Sequence, residues 1–217
     1  ENTIGFTLQS PRDGDYGLRT SDGQAFLYHG DRLIMPCSEM KIVGKHNYAN
    51  ALAALAICDG LGIDEEVSKT VLRTFAGLEH RTQLVTEKDG VRWFNDSKGT
   101  NVGATIAAVE GMDGPVILIA GGQGKDQDFS PLLDAVKAKA KLVLLYGEDA
   151  LLIEKALQDV DVRLVADLKE AVELAARSAQ SGDNVLLSPA CASFDMFKNY
   201  QERGDTFVKL VEAETNS

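Results

Sequence analysis

The sequence has few of the residues that build metal, redox or disulfide sites. It contains three cysteines and three histidines, namely Cys37, Cys58, Cys191, His29, His46 and His80. The cysteines are far apart and odd in number, so their spacing indicates no zinc site, no redox pair and no disulfide framework. No histidine completes a recognisable Cys-His signature, which favours Cys191 as a small buried apolar side chain rather than a nucleophile. Thiols that need not pair fit a cytoplasmic protein.

A basic surface and long apolar runs are also lacking. With 22 basic and 33 acidic side chains the net charge is −11, so nucleic acid and membrane surfaces, both anionic, are poor partners. No apolar run approaches the roughly 20 residues of a membrane span, and no signal peptide is recognisable. The chain starts at Glu1 rather than at a methionine, and we expect it to be a piece of a longer protein.

The proportions of hydrophobic and charged residues are those of an ordinary folded protein. The chain has 217 residues, of which 44% are hydrophobic and 25% charged, so it can bury a real core and is not disordered as a whole. The pattern of predicted elements changes near Gly77–Glu79. We therefore predict two units, residues 1–78 and residues 79–217.

The first unit is predicted to hold short antiparallel strands followed by two helices. The strand-like runs are Ile4–Leu8, Tyr16–Arg19, Ala25–Tyr28 and Leu33–Met35. Asp13-Gly14, Asp22-Gly23 and Gly30-Asp31 separate these runs, and such pairs are hairpin signals. The helices are predicted at Asn47–Cys58 and Asp64–Phe75 because each stops shortly before glycine.

The second unit is predicted to be an α/β domain. Strand-like runs at Val91–Phe94, Val116–Ala120, Leu142–Tyr146, Val162–Val165 and Val185–Leu187 alternate with helical segments at Val102–Val109, from Ser130-Pro131, Glu148–Leu157, from Asp167 to Gly182, and Asp195–Glu214. Ser130 and Asp167 are the predicted N-caps, with Glu170 completing a capping box. Apolar runs without alternation imply a Rossmann-like, mostly parallel sheet with helices on both faces.

Polar residues cluster directly after three of these strands, in the segments 95–101, 121–126 and 188–193. Ligands of open α/β sheets bind at the carboxyl ends of strands. We therefore expect the three loops to lie side by side along one edge and to form a binding site.

The glycine-rich loop after Ala120 fits neither common nucleotide motif. A P-loop needs glycine and Ser or Thr where Ile119 and Asp126 stand, and a dinucleotide fingerprint needs a third glycine where Gln127 stands. The loop is either a tight connection or a close backbone approach to a ligand, and Lys125 adds a cation suited to a carboxylate.

The other polar segments each allow two interpretations. Ser193 is either an N-cap of the last helix or part of an anion site at that helix N-terminus. The segment 96–100 favours either a turn or a ligand site. Asn47 and Asn50 share a helix face, where they either cap the helix or hold a purine edge. His80-Arg81 is either a solvated hinge pair or a nucleotide contact made when two domains close.

Together these segments resemble the Mur ligase superfamily. The matching stretches are residues 44–54 (GKHNYANALAA), 77–81 (GLEHR), 95–101 (NDSKGTN) and 187–197 (LSPACASFDMF), continuing to Arg203-Gly204. They occur in order over about residues 40–217. The last stretch is similar to the branch that adds D-glutamate to UDP-N-acetylmuramoyl-L-alanine.

The resemblance implies a part of an ATP-dependent, ADP-forming amide ligase of peptidoglycan synthesis, cytoplasmic and monomeric. ATP phosphorylates the muramoyl-alanine carboxylate, the amine of D-glutamate attacks the acyl phosphate, and Mg²⁺ assists. Residues 1–78 would be the end of the central ATP-binding domain and residues 79–217 the D-glutamate-binding domain. The implied ATP contacts are Asn50, His80, Arg81, Asp96 and Lys98; the implied D-glutamate contacts are Thr100, Lys125, Ser193, Phe194 and Tyr200. A dianion bound by an acidic protein needs a fixed cation and a helix N-terminus, which Lys125 and the Ser193 loop offer.

The sequence also departs from the family pattern. The phosphate-binding loop, the uridine-binding first domain and the carbamoylated lysine of the central domain are absent from these residues, so we expect this chain alone to make no product. Two alternatives stay open, a sister ligase that adds another amino acid and a non-catalytic amino-acid or nucleotide-binding module. A competition between amino acids in an assay of the full-length protein would test the first alternative. A Gly-Lys-Ser or Gly-Lys-Thr loop encoded upstream would argue against the second.

Overall fold

The computed structural model describes residues 3–42 and 44–216, with the backbone alone for Lys45 and His46. The chain forms two compact units, residues 1–77 and residues 78–217, and each is described by itself. Within the described residues no helix is long and apolar enough to cross a membrane.

The first unit contains the predicted antiparallel meander. Its strands are β1 (Tyr16–Ser21), β2 (Gln24–His29) and β3 (Arg32–Pro36), in the order β1-β2-β3. Asp22 and Gly23 join β1 to β2 with φ angles of 51° and 77°, the left-handed geometry that a two-residue hairpin requires. A fourth strand at Ile4–Leu8 was predicted wrongly, because that segment makes only a single parallel bridge from Phe6 to Tyr16.

The described residues of the first unit also form a 3-10 helix at Cys37–Glu39 and two α-helices, α1 (Lys45–Gly60) and α2 (Glu65–Thr74). The Asp64 side chain accepts a hydrogen bond from the N–H of Glu66 and so caps α2. Apolar side chains of the meander and of α1 form one core, which includes Leu27, Met35, Leu52 and Leu55. The two predicted helices are confirmed.

The second unit is built on a six-stranded sheet in the order β4-β5-β9-β6-β7-β8. The strands are β4 (Gln83–Lys88), β5 (Val91–Asn95), β6 (Val116–Gly121), β7 (Ala140–Tyr146), β8 (Val162–Leu164) and β9 (Asn184–Leu187). All neighbours are parallel except β4, which pairs antiparallel with β5. The sequence analysis missed β4, although the Asp89-Gly90 turn that joins it to β5 has φ angles of 53° and 76° and is a hairpin signal.

Helices cover both faces of this sheet, as predicted. Their bounds are α3 (Val102–Glu110), α4 (Leu132–Lys139), α5 (Ala150–Ala156), α6 (Leu168–Ser178) and α7 (Tyr200–Thr215). Side chains of α3, α4 and α5 pack in the core on one face, and those of α6 and α7 pack in the core on the other. The central strands β6 and β9 are buried throughout, as expected for a parallel sheet covered on both sides.

Several predicted helix ends were wrong. Pro131, not Ser130, is the N-cap of α4. The Ser130 hydroxyl instead donates to the Asp128 carboxylate at 2.7 Å. Asp167 caps α6 as predicted, but the Glu170 carboxylate accepts from the N–H of Ala166 rather than from that of Asp167. The same helix ends at Ser178 and does not continue to Gly182.

Candidate functional site

Three loops meet at the carboxyl ends of β5, β9 and β6, which are neighbours in the sheet. Main-chain hydrogen bonds tie the loops together: the Ala190 N–H donates to the Gly99 carbonyl at 2.9 Å, and Gln123 and Ala192 exchange two bonds of 3.0 and 2.9 Å. The predicted convergence of the three loops is therefore confirmed. The loops carry Thr100, Lys125 and Ser193.

Asp96 is buried at the end of β5 and is held by hydrogen bonds on both carboxylate oxygens. Its Oδ1 accepts from the Thr82 N–H at 3.0 Å, and its Oδ2 accepts from the Ser188 hydroxyl at 2.7 Å. The Ser188 oxygen lies 3.1 Å from the Thr105 hydroxyl, which extends the chain of contacts into α3. Burial raises the pKa of Asp96 to about 6, and the hydrogen bonds from Ser188 and Thr82 partly oppose that rise. The carboxylate is thus mostly ionised at neutral pH.

His80 is buried against the start of α7 rather than exposed in a hinge. Its Nδ1 lies 3.1 Å from the Asn95 side-chain amide, and Asn95 also donates to the Gly204 carbonyl at 3.2 Å. Gly204 packs so closely on the imidazole that a Cβ there would overlap the ring. The Tyr200 ring meets the imidazole edge to face, with ring centroids 6.0 Å apart. These contacts fix the imidazole in one orientation.

Two further predicted nucleotide contacts of this unit lie close in sequence to His80 and Asp96. Arg81 is exposed, and its positive charge adds a small contribution that lowers the pKa of Asp96. The Lys98 ammonium lies over the Tyr200 ring, 4.2 Å from its centroid, within the range of a cation–π contact. The main chain of Lys98 donates to the His80 carbonyl at 3.0 Å, so the two segments are joined.

The backbone of the glycine-rich loop makes a close approach, as one of the two interpretations of the sequence expected. The group that it approaches is another part of the chain, the loop after β9, rather than a ligand. A Cβ on Gly122 would overlap the Ala192 carbonyl, and Gly122 has a φ of 124°. Lys125 and Asp126 follow with left-handed φ angles of 54° and 58°. Lys125 is exposed, and its ammonium lies 5.2 Å from the centre of the Phe194 ring.

A cavity of about 420 Å³ opens beside this loop. Lys125 supplies the positive charge of its lining, and Asp126, Glu148 and Asp149 supply the negative charge. The Asp149 carboxylate accepts from the Gly124 N–H at 2.6 Å, which holds the base of the loop. Lys125 therefore borders open space between carboxylates and an exposed aromatic ring.

Ser193 does not cap the last helix, and the prediction that its loop runs directly into that helix was wrong. α7 begins at Tyr200, and its N-cap is Asn199, whose side chain accepts from the Glu202 N–H. Ser193 is 2% exposed, and its carbonyl accepts from the N–H of Phe197 at 2.8 Å in an isolated turn. Phe194, in contrast, is 60% exposed.

The sequence analysis gave no role to Arg203, although the resemblance ran through it. Arg203 is fully buried under the loop after β9. Its guanidinium donates to the Ser97 hydroxyl and carbonyl at 3.0 and 2.9 Å and to the Cys191 carbonyl at 3.1 Å. Cys191 is also fully buried, and burial raises the pKa of its thiol to about 12, which confirms its interpretation as a buried apolar residue.

Asn50 belongs to the first unit, where it lies exposed on α1. Asn47 lies one turn before it and is half-buried. The side chains of Lys45 and His46, which belong to the matching stretch 44–54, lie outside the described residues. Among the residues that the structure describes, no three His, Cys, Asp or Glu side chains are grouped so that they could hold a metal ion.

Most of the second unit matches a family of known proteins. The family described as "Mur ligase, glutamate ligase domain" matches residues 80–191, which is just over half of the chain. The chain therefore belongs to the Mur ligase family, and the resemblance stated from the sequence is confirmed.

Curated relatives narrow the comparison to one branch of the family. A UDP-N-acetylmuramoylalanine–D-glutamate ligase of Hahella chejuensis is 49% identical over 213 residues, covering 96% of this chain and 48% of the relative. A ligase of the same name from Methylobacillus flagellatus is 52% identical over 209 residues, covering 95% of this chain and 46% of the relative. The chain thus spans about half the length of the curated relatives it matches.

Solved structures show the same fold at low identity. UDP-N-acetylmuramate-alanine ligase MurC of Thermotoga maritima superposes with a TM-score of 0.66 at 18% identity, covering 94% of this chain and 47% of that protein. MurF ligase of the same organism, solved in complex with ADP, gives a TM-score of 0.61 at 17% identity, covering 94% and 47%.

Proposed function

We propose that this chain is the acceptor-binding part of an ATP-dependent amide ligase that adds D-glutamate to UDP-N-acetylmuramoyl-L-alanine in peptidoglycan synthesis. The observation that carries the proposal is the convergence of three polar loops at neighbouring strand ends, tied by main-chain bonds. Curated relatives of about 50% identity are named UDP-N-acetylmuramoylalanine–D-glutamate ligases.

The chemistry assigned to the whole ligase has two steps. The muramoyl-alanine carboxylate attacks the terminal phosphorus of ATP, which releases ADP and leaves an acyl phosphate. The amine of D-glutamate then attacks the acyl carbon, phosphate leaves, and the nitrogen loses a proton to give the amide. The second step needs a nucleophile held close to an activated carbonyl, and positioning alone supplies a large part of such a rate enhancement.

We assign the D-glutamate contacts to Thr100, Lys125, Ser193, Phe194 and Tyr200. Lys125 supports this assignment best, because its ammonium is exposed beside a cavity and is suited to a carboxylate. Ser193 acts through its loop, because a residue that is 2% exposed offers little of its own surface to a ligand.

The nucleotide contacts are assigned to Asn50 on the first unit and to His80, Arg81, Asp96 and Lys98 on the second. Asp96 and His80 are buried and held in single orientations, which suits residues that must present fixed hydrogen-bonding groups. Exposed Arg81 and half-buried Lys98 add positive charge, which suits polyphosphate.

Magnesium is proposed for the whole ligase. The residues that the structure describes bring no three acidic, histidine or cysteine side chains together in a group that could hold a metal ion. Mg²⁺ commonly binds substrate phosphates with only one or two protein carboxylates. We further propose that the whole ligase is cytoplasmic and monomeric and takes these small molecules as its only substrates.

A titration of the ¹⁵N-labelled chain with D-glutamate tests the acceptor site. Amide shifts are expected at Thr100, Lys125 and Ser193, and L-glutamate at the same concentrations should shift them less. Lys125→Met should weaken the response, whereas Lys155→Met, an exposed lysine on α5, serves as the matched control. A titration that leaves all three amides unshifted refutes the site.

A phosphate-release assay tests the proposal that this chain binds the acceptor but does not catalyse the reaction alone. The 217-residue chain is expected to release no phosphate with ATP, UDP-N-acetylmuramoyl-L-alanine and D-glutamate, because it carries no Gly-Lys-Ser or Gly-Lys-Thr loop. The full-length gene product is expected to turn over with D-glutamate in preference to other amino acids. Turnover by the chain alone, or a preference for another amino acid, contradicts the proposal.

A further inference from the structure

Gln127 occupies a special place among the three loops of the site. It lies two residues after Lys125 in the glycine-rich segment, at the position where a dinucleotide fingerprint would have its third glycine. Its side chain reaches the other two loops by hydrogen bonds.

Both ends of the Gln127 amide are used. Its Oε1 accepts from the Val102 N–H at 3.1 Å, and its Nε2 donates to the Ala190 carbonyl at 2.6 Å. Val102 is the first residue of α3, where a backbone N–H has no partner within the helix. Ala190 has a left-handed φ of 58°, a conformation that an alanine adopts only at a cost. The glutamine therefore pairs one N–H that has no partner within its helix and holds one strained peptide.

We call the Gln127 side chain with its bonds to Val102 and Ala190 the Gln127 bridge. This bridge connects the three strand-end loops that carry Thr100, Lys125 and Ser193. Val102 follows Thr100 by two residues and Ala190 precedes Ser193 by three, so each partner is close to a predicted D-glutamate contact. Val102 begins the helix after β5, and Ala190 lies in the loop after β9.

The backbone on both sides of Gln127 is held in place by other contacts. The Gly124 N–H donates to the Asp149 carboxylate at 2.6 Å, and the Gln127 N–H donates to the Gly124 carbonyl at 3.4 Å. Two residues after Gln127, Phe129 is buried in the core beneath α3 and α4. Between these anchors the backbone is left-handed at Lys125 and Asp126. A shift of Gln127 would therefore alter the direction in which Lys125 points.

We propose that Gln127 is a positioning residue, which sets the spacing of Thr100, Lys125 and Ser193 and thereby the affinity for the acceptor amino acid. The inference rests on the proposed function. A substrate with two carboxylates and a reacting amine must be held at several points, and a displacement of about 1 Å at such a site costs on the order of 100-fold in rate. Gln127 itself touches no substrate in this assignment.

Two substitutions separate the two hydrogen bonds. Gln127→Leu keeps a side chain of similar size and removes both bonds. Gln127→Glu keeps an oxygen that accepts from Val102 but replaces the donor to Ala190 by a second carboxylate oxygen. Gln180→Ala is the control, because Gln180 is an exposed loop residue just before β9, at the opposite end of that strand from Ala190.

The first measurement maps the loops in the 217-residue chain without ligand. Gln127→Leu should shift the amide signals around Thr100–Val102 and around Ala190–Ser193, whereas Gln127→Glu should shift mainly the second group. Gln180→Ala should shift neither. Shifts confined to residues 121–129 in the leucine variant would overturn the inference.

The second measurement uses D-glutamate. In the chain, Gln127→Leu is expected to weaken D-glutamate binding by about 10-fold to 100-fold, the range typical when hydrogen-bonding partners that orient a site are removed. In the full-length ligase the same change should raise the KM for D-glutamate and leave the KM for ATP within about twofold, a split that general loss of structure would not give.

The outcomes separate the inference from the function on which it rests. If the unmodified chain binds D-glutamate and Gln127→Leu binds it within twofold as tightly, Gln127 is not a positioning residue and the proposed function stands. If the unmodified chain does not bind D-glutamate, the proposed function fails and the inference fails with it. Should the leucine variant not fold, Gln127→Glu decides, since it is expected to weaken D-glutamate binding while Gln180→Ala does not.

Discussion

Replacing Asp96 by asparagine is expected to make the second unit more stable above pH 6. The Asp96 side chain is almost fully buried, and burial raises its pKa from 3.8 to about 6. Between these pH values the unfolded chain has released the proton and the folded chain retains it, so the free energy of unfolding falls as the pH rises and stays reduced above about 6. A shift of about two units corresponds to about 3 kcal/mol.

Asparagine can replace the carboxylate without leaving a buried polar group unpaired. Its Oδ1 accepts from the Thr82 N–H as the carboxylate does, and its Nδ2 donates to the Ser188 oxygen. The Ser188 hydroxyl then turns toward Thr105, whose oxygen is 3.1 Å away. The variant is therefore expected to gain about 3 kcal/mol at pH 8 and only about 1 kcal/mol at pH 4.5, where the penalty on wild type is mostly absent.

Urea unfolding followed by tryptophan fluorescence measures this gain in the second unit alone. Trp93 is the single tryptophan of the chain and is buried in β5. Asp128→Asn is the matched control, because Asp128 is exposed and hydrogen bonds from Ser130 hold its pKa below the usual value; that variant should show no stabilisation. A gain that is the same at pH 4.5 and pH 8, or no gain at pH 8, refutes the reasoning.

Three further predictions concern the same unit and the thiols. Ser188→Ala removes a donor that lowers the pKa of Asp96. The variant should lose about 1–3 kcal/mol of unfolding free energy at pH 8, and the pH at which stability falls should move upward. An unmoved pH dependence in the Trp93 assay would argue against the contact. Gly204→Ala places a methyl group against the His80 ring and should lower the unfolding free energy by about 1–3 kcal/mol. Gly103→Ala is the control, because its Cβ would meet its nearest neighbour at an ordinary 3.6 Å; it should lose no stability in the same urea experiment. Cys58 is half-buried and should react with a thiol reagent at pH 8 well before Cys37 and Cys191, because burial raises the pKa of those two thiols to about 11 and about 12; equal rates for all three would contradict the burial.

Local chemistry made much of the fold predictable. The Asp22-Gly23 turn needs only two residues with left-handed backbones, and aspartate followed by glycine is a pair that adopts them readily. The apolar runs that became β6, β7 and β9 have no alternation, and they are buried on both faces. Asp64 and Asp167 cap helices as aspartates do at such positions.

Errors arose where a local signal competed with a distant partner. The segment Ile4–Leu8 has strand-like residues, but it makes only one bridge and so does not extend the meander. Ser193 has the residue type of an N-cap, yet its loop folds into an isolated turn before α7 begins, with buried Arg203 donating to the nearby Cys191 carbonyl. The donors to Asp96 come from Thr82 and Ser188, which are distant in sequence.

The sequence by itself determined five of the six strands and the approximate places of the five helices that the structure describes in the second unit. It also determined that polar loops follow three strands and which family the chain belongs to. Only the tertiary structure decided that β9 lies between β5 and β6, so that loops from distant parts of the chain meet. Gln127 shows the difference most clearly. In the sequence it merely interrupts a glycine pattern, whereas in the fold it bonds to Val102 and Ala190. Strand order and such bridges depend on burial and hydrogen bonding between residues far apart in the chain, which no local pattern encodes.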